Sequence, residues 1–189
     1  NITPIYLPLH HAFTESTRVD LDGSLDRLNL QFDFESMRVV VGRQAVTWGV
    51  TYFWPVLDLF APFSPRRVDR DYKPGIDAIR ASIPWGDFSS LEVIGGVLGS
   101  SLKRGATLGA LARIYLGPVD VGLMGGKFHR DTVAGGFFTG DVSGTGVRGE
   151  VNWTQSGDEA DRLRDRRTFW RATLGVDRQL APTVSFTLE

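Results

Sequence analysis

Over residues 106–116 every second residue is apolar. Ala106, Leu108, Ala110, Ala112, Ile114 and Leu116 fall on one side, and Thr107, Gly109, Leu111, Arg113 and Tyr115 on the other. A period of two belongs to an extended strand, whose successive side chains leave by opposite faces. The same period recurs along most of the sequence. Leu28, Leu30, Phe32 and Phe34 alternate with Asn29, Gln31, Asp33 and Glu35; after Glu35-Ser36-Met37 the chain reverses into Val39, Val40 and Val41. Further stretches centre on Ile79-Ala81-Ile83, Leu91-Val93-Gly95-Val97, Val119-Val121-Leu123, Val147-Gly149-Val151-Trp153, Trp170-Ala172-Leu174-Val176 and Val184-Phe186-Leu188. A weaker one covers residues 135–141. The chain is therefore expected to be all-β, with about ten strands.

Alternation alone does not say what the apolar face meets. In a soluble barrel such as a lipocalin it turns inward to a dry core. In an outer-membrane barrel it turns outward to lipid, and the polar face lines a wet lumen. The links between strands separate the two. They are expected to run short (35–37), long (47–74), short (84–88), medium (99–105), short (117–118), medium (129–134), short (142–146), long (155–168) and short (180–182). Strict alternation of short and longer links puts all the tight turns at one end of an up-and-down sheet, the pattern of transmembrane barrels. A sandwich with Greek-key links has no reason to sort its loops this way. Strands of about nine to twelve residues also match a tilted bilayer crossing. The expected fold is an antiparallel up-and-down transmembrane β-barrel over residues 26–189, complete or part of a larger barrel. Residues 1–25, interrupted by Pro4 and Pro8, are expected to be an irregular lead-in or the remnant of an earlier strand.

Composition narrows the function classes. The 189 residues carry 21 basic and 22 acidic side chains, so no bulk positive field favours nucleic acid. No apolar run is long enough for a transmembrane helix. With no cysteine there are no disulfides, thiol chemistry or Cys-based zinc sites. The three histidines are His10, His11 and His129, and the adjacent pair on an extended segment would point opposite ways. Ser100 or Ser101 with His129 is the nearest approach to a hydrolase pair, with nothing else behind it. No enzyme, metal or cofactor is expected.

Parity assigns Arg38, Arg80, Glu92, Arg113, Tyr115, Arg148, Glu150, Arg171 and Asp177 to the lumen, beside Asn29, Gln31, Asp33, Glu35 and Asp120. Both signs of charge are present, which argues against strong selection by net charge. Many of these groups would simply pair across strands and stiffen the wall. Arg43 would face lipid by simple alternation from Val39 and Val41, at a cost of about 2–4 kcal/mol near the bilayer midplane. A bulge at Gly42 is expected to turn it inward. The long link holds Trp48, Trp54, Pro55, Pro62, Pro65 and Pro74, too many prolines for a strand ladder. Folded into the lumen it would form a constriction, with Trp48 in the fold and Asp58, Arg66, Arg67, Asp69, Arg70 and Asp71 setting its field. The bland alternative is an external loop whose charges neutralise one another. Trp85, Trp153, Trp170, Phe137, Phe138 and Phe169 are expected near strand ends, where aromatics suit interfacial belts.

Several short elements resemble a known family. Asp26-Arg27-Leu28 leading into Gly42-Arg43-Gln44 and then Trp48-Gly49 is similar to a motif of Gram-negative outer-membrane porin-like barrels, including alginate-export-type porins. Asp58-Leu59-Phe60-Ala61-Pro62, Lys73-Pro74-Gly75 and Gly146-Val147-Arg148-Gly149-Glu150 fit the same picture. The resemblance implies a location in the bacterial outer membrane and more strands than ten. With the chain ending at Glu189 inside a strand, an interior piece of a longer barrel is expected. The implied role is passive diffusion of small hydrophilic solutes or ions, with the lipid bilayer as the surrounding partner. The alternative is a structural barrel that sleeves or anchors a partner protein in an envelope complex.

Overall fold

Every one of the ten alternating stretches forms a strand, and each pairs with its neighbour in sequence. The computed structural model describes residues 10–15, 20–25, 27–60, 73–97, 105–157 and 167–189. Strands β1 (His10–Glu15) and β2 (Asp20–Ser24) pair with each other in a small sheet of their own. The pairing satisfies backbone groups of these two segments; residues 1–9 and 16–19 of the expected lead-in, Pro4 and Pro8 among them, lie outside the described residues.

The main sheet contains β3 (Leu28–Asp33), β4 (Arg38–Gln44), β5 (Ile76–Trp85), β6 (Ser89–Val97) and β7 (Ala106–Tyr115). It continues with β8 (Val119–Phe128), β9 (Asp131–Val142), β10 (Thr145–Gln155), β11 (Thr168–Ala181) and β12 (Val184–Leu188). Spatial order equals chain order, every pairing is antiparallel, and β3 and β12 are the two edges of an unclosed sheet. Local chemistry sets the turns. Between β3 and β4 the Phe34 amide donates to the Met37 carbonyl at 2.9 Å. Between β9 and β10, Ser143 and Gly144 both have positive φ, 53° and 78°. That is the handedness a two-residue hairpin needs to match strand twist.

The links at one end are all tight: 34–37, 86–88, 116–118, 143–144 and 182–183. At the other end lie the spans 45–75, 98–105 and 156–167, but also the two-residue turn 129–130. The expected medium loop at 129–134 is therefore a correction. β8 runs on through Gly125, Gly126, Lys127 and Phe128, and β9 starts at Asp131. Two adjacent glycines carry no side chains to show a period, so the alternation goes silent while the strand continues. The strict sorting of links fails at this one position.

The ladders divide the side chains into two sets. One face is bare except at the loop end of β4 and β5, where Arg43 is buried: it carries Leu30, Ile79, Leu108, Leu123 and Leu174, exposed between 58% and 69%. Among the described strand residues, charges on this face are confined to Arg43, Asp77 and Lys127 toward the loop end and Arg178 toward the turn end. The opposite face carries the polar residues and also an apolar pad of Ile76, Ala78, Ile94, Leu111, Met124, Phe128, Val133 and Phe137. That pad is buried because residues of the β4–β5 link lie on it.

Candidate functional site

The first described part of the link after β4, residues 45–60, turns back over the sheet instead of leaving it. Val46, Trp48, Leu57 and Phe60 are all at most 2% exposed and join the pad in one core. Burying each such side chain contributes roughly 1.5–3 kcal/mol, which is what holds an irregular segment down. Trp48 and Phe60 meet edge to face with ring centroids 4.7 Å apart, and both meet Phe128 edgewise. Gly109 makes room: a Cβ there would stand 2.9 Å from both the Trp48 and Phe128 rings.

Polar contacts fix the register of loop on wall. The Trp48 Nε1–H donates to Glu92 Oε1 at 2.5 Å. Glu150 Oε1 accepts from the amides of Val50 and Thr51 and from the Thr51 hydroxyl, at 2.5, 2.7 and 3.0 Å. Glu150 Oε2 accepts from the Leu57 amide at 2.9 Å. Glu189 accepts from the amides of Tyr52, Phe53 and Trp54 at 2.5, 2.7 and 3.2 Å. Wall donors return the favour, Thr173 Oγ1 to the Trp54 carbonyl and Asn152 Nδ2 to the Val56 carbonyl. At the exit of the link, Lys73 Nζ reaches Asp58 and donates to Thr47 Oγ1. Burial pushes the Asp58 carboxyl above its ordinary range, against the pull of Lys73, and pushes the Lys73 ammonium down.

The residues assigned to the lumen by parity gather on this covered face: Arg38, Arg80, Glu92, Arg113, Tyr115, Arg148, Glu150, Arg171 and Asp177. Arg38 pairs with Asp33 at 2.5 Å, Arg80 with Glu92 at 3.6 Å, and Arg148 with Asp177. Arg113 lies over the Phe137 ring, Arg171 over Phe169, and Arg148 over Tyr52 at 3.7 Å. Tyr115 packs its ring against Phe88 at 4.9 Å between centroids.

Arg43 does not join them. Both ladders run through Gly42 without a register shift, so the expected bulge is absent. Gly42 adopts φ 120° instead. The Arg43 guanidinium is neutralised by Asp77, opposite it in the ladder, through two 3.0 Å bonds, and also donates to the Leu25 carbonyl. A cross-strand carboxylate does the work the bulge was expected to do. Phe137 and Phe138 are a second correction: both lie in mid-strand and not in a strand-end belt, Phe137 buried on the covered face and Phe138 exposed on the other. Trp85, at the end of β5, is exposed, and Trp153 and Trp170 are ladder partners near the loop end.

Trp48 and Asp58 lie in the segment folded onto the sheet, while Arg66, Arg67, Asp69, Arg70 and Asp71 lie outside the described residues, as do Ser100 and Ser101. Two anchoring roles went unseen in the sequence. Glu150 was legible as a strand residue of the polar face but not as a backbone acceptor, and Glu189 had no signal at all; neither spacing nor parity reveals contacts across 99 and 137 positions. No protein-family model, no curated protein and no solved structure matches the chain.

Proposed function

We propose that this chain forms the wall of a Gram-negative outer-membrane β-barrel acting as a porin-like channel for passive diffusion of small hydrophilic solutes or ions. One observation carries the reading. The face without the loop is apolar over ten consecutive strands with charges only near its rims, while the charged wall residues and the inward-folded loop share the other face. Lipid on one side and water on the other is the pair of solvents that such a sheet suits. Strands β5 to β10, of nine to twelve residues, have the length a tilted crossing needs. Loop segment 45–60 would then narrow the water-filled side, and the residues around it would act as the sieve.

The test is conductance. Full-length protein added to planar lipid bilayers is expected to give stepwise current increments. Arg113→Glu is expected to move the reversal potential in a salt gradient toward cation preference, because it inverts a fixed charge beside the narrowed region. Silence in every preparation, with a co-purifying subunit, would support the structural barrel that sleeves a partner protein.

A further inference from the structure

Loop segment 45–60 is held in two different ways, and the boundary between them is sharp. Its outer parts, around Trp48 and around Leu57 and Phe60, are seated by apolar burial. Its middle is not: Tyr52, Phe53 and Trp54 are exposed at 57%, 51% and 62%. Five consecutive backbone amides, Val50 to Trp54, donate to two carboxylates of the sheet, and the Leu57 amide makes a sixth such bond; Val50 and Leu57 are also packed on the core and Thr51 is buried, so only Tyr52, Phe53 and Trp54 rely on such bonds in place of packing. Charge-assisted bonds to backbone amides are among the stronger hydrogen bonds. Here they replace the ladder partners an irregular segment lacks.

We infer that Glu150 and Glu189 are positioning residues for the constriction, a two-carboxylate clamp that holds residues 50–54 against the wall. This rests on the reading of segment 45–60 as a constriction. The clamp consumes both oxygens of each carboxylate, so neither is free to serve as a bare lumen charge. It also holds the rings of Tyr52, Phe53 and Trp54 away from the pad, with Tyr52 under the Arg148 guanidinium. Thr173 and Asn152 donate to carbonyls of the same segment, so the clamp works with two neutral bonds beside it.

These 189 residues contain no cysteine, so a cysteine introduced at one position is the sole label site within them. A spin label at Phe53→Cys reports the clamped span, and one at Val142→Cys, in the opposite-end hairpin, reports the wall. Glu189→Ala removes three amide bonds from the sheet margin, and Glu150→Ala/Glu189→Ala removes the whole clamp. With full-length protein in lipid vesicles, label motion at 53 is expected to rise in Glu189→Ala and further in the double variant, with label motion at 142 unchanged. Conservative Glu150→Gln/Glu189→Gln is expected to fall between, since each Gln side chain keeps one acceptor oxygen for part of the segment but loses the charge and the second acceptor. Single-channel records of the same variants are expected to show larger or noisier current steps. Increased motion at 53 with no current even from the unsubstituted protein would uphold the clamp and sink the channel. Unchanged motion at 53 in Glu189→Ala, with 142 also unchanged, would overturn the clamp, whatever the currents show.

Discussion

At the scale of single residues, the Lys73–Asp58 pair is a buried ion pair that ties the two described ends of the loop together. Both side chains are at most 8% exposed, and one partner sits at each end of the span 58–73. Desolvation costs each ion several kcal/mol, so a buried pair fixes geometry without necessarily adding stability. Lys73→Met alone leaves a buried, uncompensated carboxylate and is expected to cost about 3–5 kcal/mol, read as a lower urea midpoint. Asp58→Leu/Lys73→Met removes both ions and is expected to recover most of that loss. The pH dependence follows from the directions of the shifts. Between its ordinary 3.8 and its raised value, Asp58 keeps in the folded chain a proton the unfolded chain has released, so its contribution to stability grows as pH falls through that window. Between its lowered value and 10.5, Lys73 has shed in the folded chain a proton the unfolded chain retains, so its contribution grows as pH rises. Together they predict a shallow minimum in stability between the two windows, present in the native protein and absent from the double variant.

At the scale of elements, the governing relation is a loop resting on strands that have been pared down to receive it. Gly109 lets the Trp48 indole lie against β7. Gly109→Val would drive two methyl groups into the Trp48 and Phe128 rings, an overpacking that costs about 1–3 kcal/mol. The expected result is a lower unfolding midpoint together with a red-shifted tryptophan emission as Trp48 leaves its seat, while the far-UV strand signal stays. Substituting Gly95, on the bare face with only the distal Leu108 methyl near at 3.9 Å, is expected to leave the emission where it was. The strands themselves were legible because alternation is a local signal, imposed by the geometry of each residue pair. The seat was not. Ile94, Leu111 and Phe137 have the parity of the polar face, and only a segment from elsewhere in the chain explains why apolar side chains stand there. Gly125 and Gly126 hid the end of β8 for the opposite reason, having no side chains with which to show any period. Arg43 was legible as a problem, but its solution lay in Asp77, thirty-four positions away and visible only once the ladder was paired.

At the scale of the whole molecule, the deciding question is what touches the bare face. Leu108 and Leu174 stand in strands separated by three others, exposed at 62% and 69%, with apolar or glycine neighbours opposite each in its ladder except Lys127 beside Leu108. If water covered this face, charging either position would be a surface substitution worth within about 0.5 kcal/mol. If hydrocarbon covers it, an arginine or lysine costs about 2–4 kcal/mol at mid-depth and less toward an interface. Leu174→Arg, deep in the band, is therefore expected to lose about that much folding free energy in lipid vesicles. Val142→Arg, at the turn-end rim, is expected to lose about 1 kcal/mol or less. The depth dependence, measured as urea unfolding of the two variants in the same vesicles, is the property no soluble sheet shares. Equal and negligible losses at both positions would mean that this face does not meet lipid, and the channel proposal would fall with it.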